Sequence, residues 1–268
     1  MTGRRANDNW AAGDAYDAYM GRWSRLVGRA FLDWLAEPPD LRWLEIGCGT
    51  GVLSEVILEY GEPKHLLGID PSESFLAHAR ERTPHPALRF RVGSAEALPV
   101  EDGQFDVAVS GLVLNFLADP ARAVMEMRRA VHPGGTVAAY VWDYGEGMDM
   151  VRLFWEAATA LDPAAREHDE GVRFPLAAEA PLAALFRDSG LEEVETRAIE
   201  VPTIFDDFDD YWSPFLAGVG PAPAYCMGLD ETARTALRER LQSTLPVAPD
   251  GRIHLNARAW AVRGDVPG

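Results

Sequence analysis

The sequence predicts an α/β fold: a doubly wound, seven-stranded, mostly parallel sheet with a helical cap. Three observations carry that expectation. Short apolar runs alternate with amphipathic stretches between residues 41 and 142. The first run ends in glycines and passes straight into a helical pattern, LEIGCGTGVL at 44–53. A strand-like run at 194–205 and an alternating run at 253–263 complete a set of seven strands, the last of them reversed beside 194–205.

Residues 14–37 carry apolar or aromatic side chains at helical spacing, among them Tyr16, Tyr19, Met20, Trp23, Val27, Phe31 and Trp34, and Pro38–Pro39 stops the helix. LRWLEI (41–46) predicts the first strand, VLSEVILEY (52–60) a helix, and HLLGID (65–70) the second strand. Ser72, behind Pro71, caps a helix over 72–82. LRFRV (88–92) and FDVAVS (105–110) predict the next strands. Asp119 and Pro120 start a helix over 119–131, which HPGG (132–135) ends as a turn before the strand TVAAYVW (136–142). Residues 146–190 read as helices broken at Pro163, Pro175 and Pro181, and residues 206–245 as helices with a Gly/Pro-rich loop. These patterns divide one domain into an N-terminal helical segment (1–37), a core (38–143), and a cap with the last two strands (144–268).

Charge narrows the function classes. Lys plus Arg number 25 against 42 Asp plus Glu, a net charge of −17. Such a chain repels phosphate backbones and anionic membranes, and its arginine pairs have acids nearby, so neither nucleic acid nor membrane is an expected partner. No run of about 18 apolar residues and no signal-peptide pattern is present, which predicts a cytoplasmic protein. Two distant cysteines, Cys48 and Cys226, provide no disulfide framework. The six histidines lack ligand spacing, and the carboxylates of Asp206, Asp207, Asp209 and Asp210 diverge along a helix start, so no metal is expected.

The glycine loop is the most informative stretch. Gly47, Gly49 and Gly51 follow a strand and precede a helix, where bare backbone and free N–H groups can meet a ligand. The dinucleotide pattern GxGxxG needs its third glycine or alanine at 52, and that residue is Val52. Asp70 ends the next strand 23 residues after Gly47, near the offset of a ribose-binding carboxylate, which can accept both hydroxyls of a cis-diol. On its own, Asp70 also reads as a cap before Pro71.

In combination, LEIGCGTG, GIDPS, GSAEALPVEDGQFDVAVS and HPGG resemble the class I S-adenosylmethionine-dependent methyltransferases. They are most similar to the small-molecule group of the ubiquinone and menaquinone biosynthesis methyltransferases. The resemblance covers roughly residues 15–143 and implies a Rossmann-like methyltransferase fold with S-adenosyl-L-methionine as cofactor. It implies that Gly47, Gly49 and Gly51 border the methionine part and ribose, that Glu45 orients the methionine ammonium, and that Asp70 binds the ribose hydroxyls with Pro71 and Ser72 near the adenosine. Ser94 stands where the family usually has an adenine-binding Asp, with the Ala95 N–H beside it. Ser110 would face the methionine end, and 112–116 would lead toward the substrate. From the N-terminal helix, Tyr19 or Trp23 would cover the sulfonium and Arg25 would meet the cofactor carboxylate.

The implied activity is methyl transfer to O, N or C of a small-molecule acceptor. The alternatives are a nicotinamide-dependent oxidoreductase and a non-catalytic S-adenosylmethionine-binding protein of the same fold. Val52, and a single lysine (Lys64) lying outside any Tyr-x-x-x-Lys pair, speak against the first. No dedicated catalytic group stands out. Asn115, Asp143, Tyr144 and His168 are the candidates to meet the acceptor, each with an ordinary structural role beside it. Half of the 26 aromatic residues fall within 140–225, a third of the chain, so Trp142, Tyr144, Phe154, Trp155, Phe174, Tyr211, Trp212 and Phe215 are candidate pocket walls.

Overall fold

The computed structural model describes residues 21–268, so the first turns of the predicted N-terminal helix, and Tyr19 with them, lie outside the described residues. Helix α1 (Arg22–Leu35) buries Val27, Phe31, Leu32 and Leu35, the stripe that its apolar spacing predicts. The strands β1 (Arg42–Ile46), β2 (His65–Asp70), β3 (Leu88–Val92), β4 (Phe105–Gly111), β5 (Val131–Trp142), β6 (Glu192–Phe205) and β7 (Ile253–Asp265) form one sheet in the order β3-β2-β1-β4-β5-β7-β6. The observed pairings of β1 with β2 and β4, of β2 with β3, and of β4 with β5 are parallel, whereas β7 runs antiparallel to β5. The order reverses between β1 and β4, and ligands of such sheets bind at that switch point, outside the carboxyl ends.

Short capped helices make these parallel crossovers. Helix α2 (Val52–Tyr60) starts at Gly51, and α3 (Glu73–Arg82) starts at Ser72, whose hydroxyl accepts the Phe75 N–H at 3.3 Å. Helix α4 (Pro120–Ala130) starts at Asp119, whose carboxylate accepts the Arg122 N–H at 2.9 Å. Glu126 and Arg129 of α4 then hold the loop before β4. Glu126 accepts the Leu98 N–H at 2.9 Å, and Arg129 donates to the carbonyls of Leu98 and Val100 and to Asp102. The segment EALPVEDG therefore has a structural role: it straps this loop to a helix.

Two expectations need correction. HPGG is not a turn before the strand, because β5 runs through it. Val131 pairs with Phe105 and Thr136 with Val107, so the residues between bulge opposite Asp106. Asp106 anchors that bulge through His132 Nε2 at 3.0 Å and is held by Arg42 at 2.7 Å, which lowers its carboxyl to about 2. The prolines at 163 and 175 do fall where helices stop: one helix (Asp149–Leu161) ends before Pro163, which starts a 3₁₀ turn (Pro163–His168), and a short one (Glu170–Arg173) ends before Pro175. Pro181 breaks none, because it lies in the first turn of a helix (Glu179–Asp188), where an N–H has no intrahelical partner to lose.

The chain divides into two compact units. One comprises Ser24–Asp143, Pro175–Glu200 and Arg258–Gly268 and contains the parallel sheet. The described part of the other comprises residues 21–23, Tyr144–Phe174 and Val201–Ala257. Phe154, Trp155, Tyr211, Trp212 and Phe215 form its buried core, with Phe154 stacked on Phe215 at 4.5 Å. Those five aromatics are packed inside their unit, while Tyr144 and Trp155 also line a cavity of ~530 Å³ with Arg152, Glu156 and Arg166. Glu170, buried in the same unit, accepts from Trp155 Nε1 and from the Ala222 N–H at 3.1 Å, and burial pushes its carboxyl up to about 7. The acidic run 206–210 is spent on ion pairs: Asp206 with Arg252, Asp209 with Arg238 and Asp210 with Arg22, while Asp207 caps a helix (Phe208–Trp212). No described helix is long and apolar enough to cross a membrane.

Candidate functional site

The site is built where β1, β2, β4 and β5 end together. Ile46 pairs with Ile69, Glu45 with Val109 and Gly111 with Tyr140, so the loops after these strands leave the sheet at one edge. The N–H groups of Gly47 and Cys48 both donate to the Ile69 carbonyl, at 2.7 and 3.1 Å, which folds the glycine loop back over the end of β2.

Asp70 fixes the loop from the other side. One carboxylate oxygen accepts the Gly49 N–H at 3.0 Å and the other accepts the Ser72 N–H at 2.8 Å. Both oxygens keep lone-pair capacity for a diol, because a carboxylate offers about four acceptor sites. Burial raises the Asp70 carboxyl, against the lowering by these two N–H groups. The aspartate is thus a clasp between loop and helix that keeps acceptor capacity to spare.

Two glycines divide the labour in the loop. Gly47 has φ +68, and a Cβ there would lie 2.5 Å from a Val113 methyl, so the residue after β4 closes on the loop only because position 47 is bare. Gly49 has φ +52, and a Cβ there would meet nothing within 4 Å. Its face is open space beside the Asp70 carboxylate, as a cradle for a ligand requires. Gly51, with φ +88, is the N-cap of α2 and offers no side chain to the first-turn N–H groups.

Glu45 lies beneath the loop at 2% exposure, and its carboxylate accepts from the Ser54 hydroxyl. Burial pushes its carboxyl up to about 8, opposed by the Ser54 hydrogen bond and reinforced by the negative Asp70. Asp70 presents acceptor oxygens to hydroxyl donors, and a cation beside Glu45 would favour its ionised form. The residues fit S-adenosylmethionine, with an ammonium for Glu45 and a ribose for Asp70.

A family profile described as "Methyltransferase domain" matches residues 44–139. The demethylmenaquinone methyltransferase of Desulfitobacterium hafniense is 32% identical over 172 residues, covering 58% of this chain and 67% of that one. The chain belongs to the class I S-adenosylmethionine-dependent methyltransferases. S-adenosylmethionine is accordingly its cofactor, and the resemblance to the menaquinone group holds. The malonyl-[acyl-carrier protein] O-methyltransferase of Pectobacterium atrosepticum is 32% identical over 127 residues, 47% of this chain and 48% of the relative. The chain spans about half the length of most curated relatives it matches, from 33% to 67%. Among solved structures, phosphoethanolamine N-methyltransferase 2 of Haemonchus contortus, in complex with phosphomonomethylethanolamine and S-adenosylhomocysteine, shares the fold. Its TM-score is 0.61 at 17% identity, covering 96% of this chain and 57% of that one.

The remaining candidate residues of this methyltransferase separate into those at the loop and those held elsewhere. Ser72 caps α3 two residues after Asp70, and Pro71 is exposed between them. Ser94 is exposed, and its hydroxyl already accepts the Glu96 N–H at 3.2 Å, while the Ala95 side chain packs into the core. Ser110 is fully buried, and its hydroxyl donates to the Ile46 carbonyl at 3.1 Å, cross-linking β4 to β1.

Arg25 departs from expectation. Its guanidinium is held by Glu55 and Glu59 of α2, each at 2.7 Å, so its charge is spent within the core unit. Trp23 packs edge-on against Phe205 at 5.6 Å, beneath the Arg22 guanidinium at 4.3 Å. Asp143 is 4% exposed and receives Arg258 Nε at 2.8 Å and Trp260 Nε1 at 3.0 Å, an anchor for β7 against the end of β5. Tyr144 packs on Phe174, and His168 on Tyr225 at 5.3 Å, both within the second unit. Asn115 stays with the core unit, in a 3₁₀ turn (Leu114–Phe116) directly after β4.

The resemblance singled out Glu45, and what sequence reading missed is its protonation. Its raised carboxyl comes from full burial, and no local pattern distinguishes a buried strand glutamate from an exposed one.

Proposed function

We propose that the protein transfers the methyl group of S-adenosylmethionine to O, N or C of a small-molecule acceptor. The observation that supports this reading is the pair of buried carboxyl groups, Glu45 and Asp70, around the open face of Gly49. When bound, the cofactor supplies a methyl group already activated on a sulfonium.

The chain's own contribution is placement. Asp70 receives the ribose hydroxyls while its backbone clasp keeps the loop shut on α3. Glu45, fixed by Ser54, orients the ammonium. The bare Gly49 lets the cofactor lie against the backbone. An oriented nucleophile can gain much of the barrier lowering from proximity alone, so a general base is needed only where the acceptor must lose a proton. Asp143 is tied to Arg258 and Trp260, which fits a reaction run by positioning. The small-molecule assignment is supported by the names of relatives such as demethylmenaquinone methyltransferase and by the strongly negative net charge.

Titration calorimetry with S-adenosylhomocysteine and with NAD tests the site, and methyl-labelled S-adenosylmethionine incubated with a small-metabolite extract tests the reaction. Binding of the first ligand only, with label moved into a small product, is the expected result. Tight NAD binding without affinity for S-adenosylhomocysteine overturns the proposal, as does binding without labelling of any small molecule.

A further inference from the structure

The turn after β4 holds unfavourable local geometry. Leu112 is buried in the left-handed region at φ 63, a conformation unfavourable for a residue with a branched side chain. Val113 is pressed onto the bare Gly47. Asn115 follows, with both side-chain polar atoms sealed from solvent, and neither Nδ2 nor Oδ1 has a hydrogen-bond partner. A buried carboxamide satisfied at neither end is a net loss to stability, and an apolar side chain of the same shape would serve the turn better. Trp142 ends β5, the strand beside β4, and its indole N–H is likewise without a partner.

These features sit at the carboxyl edge, where the site is built, and that place points to a ligand group as the partner of Asn115. The sheet order says which ligand. Asp70 ends β2, and by the resemblance the adenine lies beyond it, toward β3. Asn115 follows β4, on the opposite side of β1. The cofactor's ribose and ammonium are already matched to Asp70 and Glu45, a sulfonium neither donates nor accepts a hydrogen bond, and the cofactor's carboxylate only accepts, which would leave Oδ1 unmet. Building on the methyl-transfer reading, we propose that Asn115 positions the acceptor: Nδ2 donates to, and Oδ1 accepts from, a donor–acceptor pair beside the methylated atom. The acceptor class this fits carries a carbonyl next to a hydroxyl or N–H, such as an enolised diketone, a hydroxyquinone-like ring or an amide.

The test uses Asn115→Leu, of similar shape and apolar, with Asn115→Ala to guard against a leucine that overfills the turn. The expected results for at least one variant are a melting temperature equal to or above wild type, a Kd for S-adenosylhomocysteine within about twofold, and a loss of at least about tenfold in label transferred to the product that wild type makes from the metabolite extract. A melting temperature lowered by several degrees in both variants makes the amide a fold contact and overturns the proposal. A Kd weakened about tenfold makes it a cofactor contact and does the same. Undiminished labelling by both variants overturns the Asn115 assignment alone, whereas a wild type that binds S-adenosylhomocysteine and labels nothing overturns the methyl-transfer reading and this proposal together.

Discussion

Cofactor binding should release a proton from Glu45. In the ligand-free fold this carboxyl is raised from 4.5 to about 8, chiefly by burial. At 1.36 kcal/mol per pH unit, ionising it inside the fold costs up to roughly 5 kcal/mol more than in the unfolded chain. The direction is that of a raised acid. The contribution of Glu45 to stability is complete below pH 4.5 and is lost as the pH rises through about 8. Near neutrality the carboxyl is therefore largely protonated before ligand arrives. An ammonium beside it favours the carboxylate, so binding below pH 8 must pay for that deprotonation. Apparent affinity for S-adenosylhomocysteine should rise up to about tenfold per pH unit between pH 6 and pH 8, about a hundredfold in all. Calorimetric titrations at several pH values, each in two buffers of different ionisation enthalpy, read both the affinity and the proton released. Glu45→Gln should bind more weakly at pH 8 and show a flat profile. A wild-type affinity independent of pH with no proton released refutes the reasoning, and so does a Glu45→Gln variant that keeps the wild-type slope.

Asp70→Ala should weaken S-adenosylhomocysteine binding by about 1.5–3 kcal/mol and also lower stability by about 1–3 kcal/mol, because two backbone N–H groups lose their acceptor; denaturant melts beside calorimetry separate the two effects. Gly47→Ala should destabilise the protein by about 2–4 kcal/mol through its backbone conformation and its collision with Val113. Gly49→Ala, facing open space, should cost only about 1–2 kcal/mol of stability yet reduce cofactor affinity at least tenfold, and equal affinity losses in the two variants would contradict the division of roles. Asp143→Ala should cost about 3 kcal/mol by leaving Arg258 without its buried partner, while the folded fraction keeps its methyl-transfer rate; a stable variant with abolished turnover would make Asp143 a reacting group instead.

Much of the fold was legible because its signals are local. The apolar runs at 42–46, 65–70 and 105–111 are short because each crosses a buried sheet once, and the caps Ser72 and Asp119 act on N–H groups three residues away. HPGG misled for the opposite reason. As a tetrapeptide it has the composition of a turn, and only pairing with β4 and the anchor at Asp106 keep it inside a strand. Asp143 looked like a ligand group at a strand end until β7, over a hundred residues on, brought Arg258 and Trp260 to it.

The sequence by itself determined the class of fold, the glycine loop and the carboxylate at the end of β2, since each rests on residue types at fixed short spacing along one strand–loop–helix passage. Only the tertiary structure decided which charges are free to act. Arg25 is spent on Glu55 and Glu59, Ser110 on the Ile46 carbonyl and Asp143 on Arg258, whereas Glu45 is buried to a raised carboxyl and Asn115 is left without a partner. Burial and pairing are properties of what distant segments bring together, and a side chain's chemistry follows from them as much as from its type.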